Sequence, residues 1–104
     1  MTRYIVLANF TEQGIRTVKD TTKRAAAVRE LGAQMGVQVK DVLWTLGKYD
    51  VVLTLEAQDD EAVTAFGLSV GALGNVHTQT LRAFNADEMQ GILGKMRCAV
   101  ERIG

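Results

Sequence analysis

Val39-Lys40-Asp41-Val42-Leu43-Trp44-Thr45-Leu46-Gly47-Lys48-Tyr49-Asp50-Val51-Val52-Leu53-Thr54-Leu55-Glu56 is the stretch that decides the fold. It reads as two strands, 39–46 and 49–56, around a two-residue turn at Gly47-Lys48. Glycine in the first turn position tolerates the positive φ of a tight type II′ hairpin. In the second strand Tyr49, Val51, Leu53 and Leu55 alternate with Asp50, Val52, Thr54 and Glu56. A period of two turns one wholly apolar row toward a core. In the first strand Val42, Trp44 and Leu46 share one side, and Asp41, Leu43 and Thr45 the other.

Working outward, Ala25, Val28, Leu31 and Met35 recur at helical spacing over residues 22–35. Gly36 is placed to end that helix in the left-handed conformation. Before it, residues 3–10 form a strand whose two faces are both apolar: Tyr4, Val6, Ala8 and Phe10 on one, Ile5 and Leu7 on the other. On the far side, Asp59 and Asp60 open a helix where acidic groups suit the dipole. Its inward stripe is Val63, Phe66, Gly67, Val70 and Leu73. Gly67 and Gly71 are poor helix formers, so the reading is close helix–sheet packing. A strand over 76–84 follows. Asn85 and Glu88 then make a capping box for a last helix reaching Ile103, with Met89, Ile92, Leu93, Met96, Val100 and Ile103 on one narrow arc.

The order β-α-β-β-α-β plus a C-terminal helix is an α+β, ferredoxin-like arrangement: a four-stranded antiparallel sheet with two helices on one face. The other face should meet water, yet Ile5, Leu7, Leu43 and Val52 fall on it. An apolar face of that size needs a cover. The last helix covers part of it; a second copy, sheet to sheet, covers all of it. The expectation is a homodimer or larger homo-oligomer.

Composition narrows the class. The 104 residues make one domain, 1–104, with 12 basic and 12 acidic side chains and 47% apolar residues. Zero net charge disfavours sequence-independent nucleic-acid binding, which needs a basic surplus. One cysteine excludes an internal disulfide and points to a reducing, cytoplasmic setting. No apolar run is long enough to suggest a membrane span or a signal-peptide core.

Gly47-Lys48-Tyr49-Asp50, followed by Val51-Val52-Leu53, resembles the motif that names the GYD domain family. The resemblance continues through Phe10-Thr11-Glu12-Gln13-Gly14-Ile15-Arg16, Arg24, Asp59, Gly74-Asn75-Val76, and Thr78, Thr80, Leu81, Arg82, Ala83 and Phe84. It runs in order over nearly the whole chain. It implies a ferredoxin-like unit of the dimeric α/β-barrel type and says little about activity. Kinship with dimeric-barrel oxygenases, isomerases and ligand sensors is an analogy of fold.

Several residues are candidates for chemistry. Asp50 and Thr54 fall on the side where two sheets would enclose a cleft, and an aspartate at an apolar cleft mouth suits a base or ligand anchor. The competing reading is an aspartate that caps backbone donors of the turn. Tyr49 reads as a core residue whose hydroxyl reaches a partner at the edge. Thr11, Gln13 and Gly14 follow a strand and offer either backbone N–H groups to an anion or an N-cap by Thr11. Thr78, Thr80 and Arg82 alternate on one face, as a cleft lining with Arg82 for a carboxylate or as an ordinary edge strand. Lys23 and Arg24 read as a solvated helix face. His77 is solitary, so no metal site is expected, and no cofactor. Cys98 reads as a surface or interface thiol, Met89 and Met96 as core fillers. The expected function is a self-associating module that holds a small molecule in the cleft between sheets, with no nucleic-acid or membrane partner. The alternative is a cofactor-light dimeric-barrel enzyme, of oxygenase or isomerase type, with Asp50 as base and Arg82 orienting an anion.

Overall fold

The alternation around Leu55 builds the core. In a computed structural model, which describes residues 1–97, Leu55 is 1% exposed and packs with Tyr4, Val6, Val37, Val39, Val63 and Phe66. The elements are β1 (Thr2–Phe10), α1 (Glu12–Arg16), a 3-10 turn (Val18–Asp20), α2 (Thr21–Gln34), β2 (Val37–Trp44), β3 (Val51–Ala57), α3 (Asp60–Ala72), β4 (Val76–Ala83) and α4 (Ala86–Leu93). The four strands form one antiparallel sheet in the order β2-β3-β1-β4. This is the ferredoxin-like α+β architecture expected from the sequence. Helices α2 and α3 cover one face and bury the row Tyr4, Val6, Ala8 of β1 against Val63 and Phe66 of α3.

Strand β2 differs from its sequence reading. It starts at Val37, two residues early, and its pairing with β3 slips between Val39 and Asp41. The slip is a β-bulge at Lys40, which lets one extra residue pass without a partner. Below it Val37 and Val39 face the helices; above it Val42 and Trp44 do, although the parity has changed. Arg29 of α2 donates to the Val39 carbonyl beside the bulge at 2.6 Å. The turn also differs. Strands end at Trp44 and resume at Val51, so Gly47-Lys48 is not a two-residue hairpin. Thr45 N–H bonds the Asp50 carbonyl at 2.9 Å, which leaves four residues, 46–49, in the loop. Asp50 N–H is meanwhile taken by Ala8 of β1, so the chain there belongs to the β1 ladder and cannot close a tighter turn. Gly47 sits at φ 129, a conformation that excludes most side chains.

The ends of the helices follow their sequence signals. Thr11 accepts from Gly14 N–H, Asp59 from Ala62 N–H, and Asn85 and Glu88 close a reciprocal capping box. The Asn85 N–H holds the Glu88 carboxyl below its ordinary 4.5 against the opposing effect of desolvation, with the Arg82 and then the Arg3 guanidinium adding to the lowering. A lowered carboxylate contributes stability above its unfolded value and loses it as pH falls through the folded one. The Asn85 amide proton is therefore expected to titrate with a midpoint below 4.5, measured by NMR, and α4 to fray with it. A midpoint at the ordinary value would contradict the cap.

Helix α4 does not cover the second sheet face. Met89, Leu93 and the following Met96 are 44%, 45% and 68% exposed. The expected helix to Ile103 instead ends at Leu93, with Gly94 as its C-cap, so Met96 lies beyond it; Cys98, Val100 and Ile103 lie outside the described residues. Among the described residues nothing covers the sheet face away from α2 and α3. Its rows in register are Leu43–Val52–Leu7–Gln79 and Asp41–Thr54–Ile5–Leu81.

Candidate functional site

The sequence candidates divide between the two faces of the sheet. Even-numbered residues of β1 and β4 face the helices, and so do Val51, Leu53 and Leu55 of β3. Between these strands and the two helices lies a cavity of about 80 Å³ with an open mouth. Its walls are Val28 of α2, Phe66 and Val70 of α3, and Val6, Val42 and Leu53 of the sheet. Thr78 and Thr80 line it from β4, and Trp44 and Thr21 stand at its rim, joined by a hydrogen bond from the indole N–H at 3.0 Å. Thr54 lies on the opposite face, where its hydroxyl donates to Asp41 across the strands at 2.8 Å.

Asp50 is bound into the backbone. Its carboxylate accepts the Phe10 N–H at 2.9 Å, while its own N–H and carbonyl bond Ala8 and Thr45. It caps a donor at the end of β1, continuing by side chain the ladder that β3 makes by backbone. Asp50→Ala is expected to cost about 1–2 kcal/mol, the penalty of orphaning a part-buried N–H. A thermal melt checks this, and an unchanged midpoint would show that the bond carries no weight.

Tyr49 is half-buried, but its hydroxyl donates to Gln79 of β4, which belongs to the open face, so it is not a helix-side core residue. Lys48 lies 5.7 Å from its ring, and the Lys48 carbonyl accepts from Asn9 at 2.7 Å. The motif Gly47-Lys48-Tyr49-Asp50 thus ties one end of the sheet together through Asn9, Phe10 and Gln79. Arg82 sits at the other end of the helix side. Its guanidinium lies 4.5 Å from the Phe84 ring and 5.7 Å from Tyr4, with Glu88 at 3.9 Å. Arg82 pairs with Tyr4 along β1 and Asp50 reaches Phe10, so about 20 Å of strand separates them. One chain does not bring these two groups to a common small substrate.

Thr11 is a clamp. Its hydroxyl donates to the Gly74 carbonyl at 2.6 Å and accepts from Gly14, and its N–H donates to the Asn75 carbonyl. Gln13 adds bonds to Leu73 and Asn75. These donors are directed at the loop before β4 rather than outward.

Three features were not read from the sequence. Arg24 is not on a solvated face: it lines the cavity and donates to Thr17 O, Thr17 Oγ1 and Gly14 O at 2.9, 2.7 and 3.0 Å. Tyr4 donates to Asp60 at the start of α3. Burial first, and then the Asp60 carboxylate, push its phenol above the ordinary 10.0. Gly67 and Gly71 do not mark close packing, since a Cβ at either would meet nothing within 4 Å. Gly67→Ala is therefore expected to stabilise the fold by about 0.5–1 kcal/mol through helix propensity alone, seen as a higher melting midpoint. A lower midpoint would mean that the helix packs more tightly than this. Among the described residues no group of three His, Cys, Asp or Glu could hold a metal ion, and no helix is long and apolar enough to cross a membrane.

The GYD domain family model matches residues 4–93. The chain is 36% identical over 84 residues to the glutamine synthetase and cystathionine beta-lyase binding protein of Thermus thermophilus, covering 80% of this chain and 88% of that one. The crystal structure of MtbAldR has the same fold, with a TM-score of 0.64 and 18% identity over 81% of this chain. The chain spans about half of MtbAldR, 53% of its length.

Proposed function

The chain belongs to the GYD domain family, and from that premise we propose that it is a binding module whose working form is a pair of copies joined through their open sheet faces. The observation that carries this is the row Leu43–Val52–Leu7 with Ile5 and Leu81 beside it, which crosses all four strands and is covered by no element among the described residues. Leu43 and Leu81 are 58% and 39% exposed. A four-stranded face of this length spans roughly 500 Å² in projection. Side-chain relief brings that toward the about 800 Å² that each partner of a standard interface buries. With equal numbers of acidic and basic groups, two copies meet without net repulsion.

The paired module acts by binding rather than by catalysis. Asp50 serves the backbone and Arg82 is held by aromatic rings and Glu88, which weighs against the enzyme reading. The Thermus thermophilus relative is a binding protein for two enzymes, and its likeness over most of both chains supports the same kind of partner here. A small ligand in the space between the paired sheets would have Tyr49, Thr54 and Gln79 as its polar contacts. A cytoplasmic setting agrees with the single cysteine. The experiment is the oligomeric state in solution: a stable pair supports the proposal, and a single chain at all concentrations removes it.

A further inference from the structure

The helix-side cavity is independent of the open face, and we infer that it is a binding site for a small uncharged molecule with an apolar body and one hydroxyl or carbonyl group. Four observations carry this. The cavity is lined from both layers by apolar side chains, and its interior of about 80 Å³ has room for one small ring but not for a larger ligand. Gly67 lines it at mid-helix in α3, where a Cβ would meet nothing. Any larger residue would improve the helix and fill the space, so the position keeps room at the cost of stability. Thr78 and Thr80 border it at its open β4 side, on exposed strand positions, and neither hydroxyl bonds another described residue.

The charge of the lining selects the ligand. Among the described residues no carboxylate lines the cavity and Arg24 is its one cation, already donating to three oxygens of the segment Gly14–Thr17. An anion would have to break those bonds, and a cation would find no counter-charge. The site therefore takes a neutral body against Phe66, Val70 and Val28, with its polar group on the threonine pair. Trp44 stands at the rim, its indole N–H bonded to Thr21 and its side chain 44% exposed.

The test uses p-cresol, a ring with one hydroxyl, titrated into the full chain and followed by NMR. Trp44 is the chain's one tryptophan, so its indole N–H gives one resonance. The site predicts saturable shifts at that resonance and at the amides of Gly67, Thr78 and Thr80, with none at Leu43 or Thr54. It also predicts nuclear Overhauser contacts from the probe methyl to Val70 or Phe66. Gly67→Leu should weaken binding at least about tenfold, by filling the space with a side chain that the backbone tolerates. Thr80→Val, on an exposed strand position, should weaken it several-fold and keeps the test valid if the leucine variant does not fold. Shifts that fail to saturate, contacts confined to the open face, or wild-type affinity in both variants would overturn the inference.

Discussion

Gly14→Ala is expected to lower the melting midpoint by roughly 10–20 °C, the largest single effect in this fold. Gly14 is buried, and a Cβ there would lie 1.9 Å from the Asn75 carbonyl oxygen and 2.9 Å from its carbon. Both obstacles are backbone, so neither can rotate away as a side-chain tip would. To admit the methyl, α1 must lift from the loop before β4. Three bonds would open with it: Thr11 N–H to Asn75 O, Thr11 Oγ1 to Gly74 O, and Gln13 to Leu73 O. Arg24 would also lose its seat on the Gly14 carbonyl. A loss of about 2–4 kcal/mol is the scale of such overpacking joined to broken hydrogen bonds. A calorimetric scan decides it, and a shift under about 3 °C would mean that the loop yields freely. Gly67→Ala is the matched control, because the same substitution there meets empty space and should stabilise.

Val52→Asp is expected to break the proposed pair into folded single chains. Val52 lies at the sheet centre, with Leu43 and Leu7 directly beside it in register. In a pair joined at this face two carboxylates would be buried among leucines with no counter-charge. Each such ion costs several kcal/mol, which weakens association by more than about a thousandfold. In the separate chain the same carboxylate faces water, so the fold should lose only about 1 kcal/mol, from strand propensity. The contrast separates assembly from folding. A variant that stays paired would place the interface elsewhere, and one that unfolds outright would place Val52 in the core of the single chain.

How far the sequence could be read depends on whether a signal is local. The alternation in β3 from Val51 onward, the caps at Thr11 and Asn85 and the acidic helix start at Asp59 involve residues within a few positions of each other, and the structure has them. The bulge at Lys40 was legible in principle, because the apolar positions Val37 and Val39 give way to Val42 and Trp44 with a change of parity. Treating 39–46 as one unbroken strand hid it. The loop at Gly47 misled because glycine marks positive φ without fixing loop length. What closes the loop is Asp50 bonding to β1, forty residues away. Gly14 and Gly32 are needed for close approach to Asn75 and Val37, and nothing near them in sequence announces that. The candidate site divides for the same reason. Thr54 and Thr80 are both strand threonines, and only the pairing of β1 with both neighbours puts them on opposite faces.

The proposed pairing places a second copy over the open sheet face of Leu43, Val52 and Leu7. Sedimentation equilibrium of the wild-type chain, over about 1–100 μM at neutral pH, tests that most directly. The predicted result is a mass of two chains, or a multiple of two, that Val52→Asp returns to one. A mass of one chain across the whole range would contradict it.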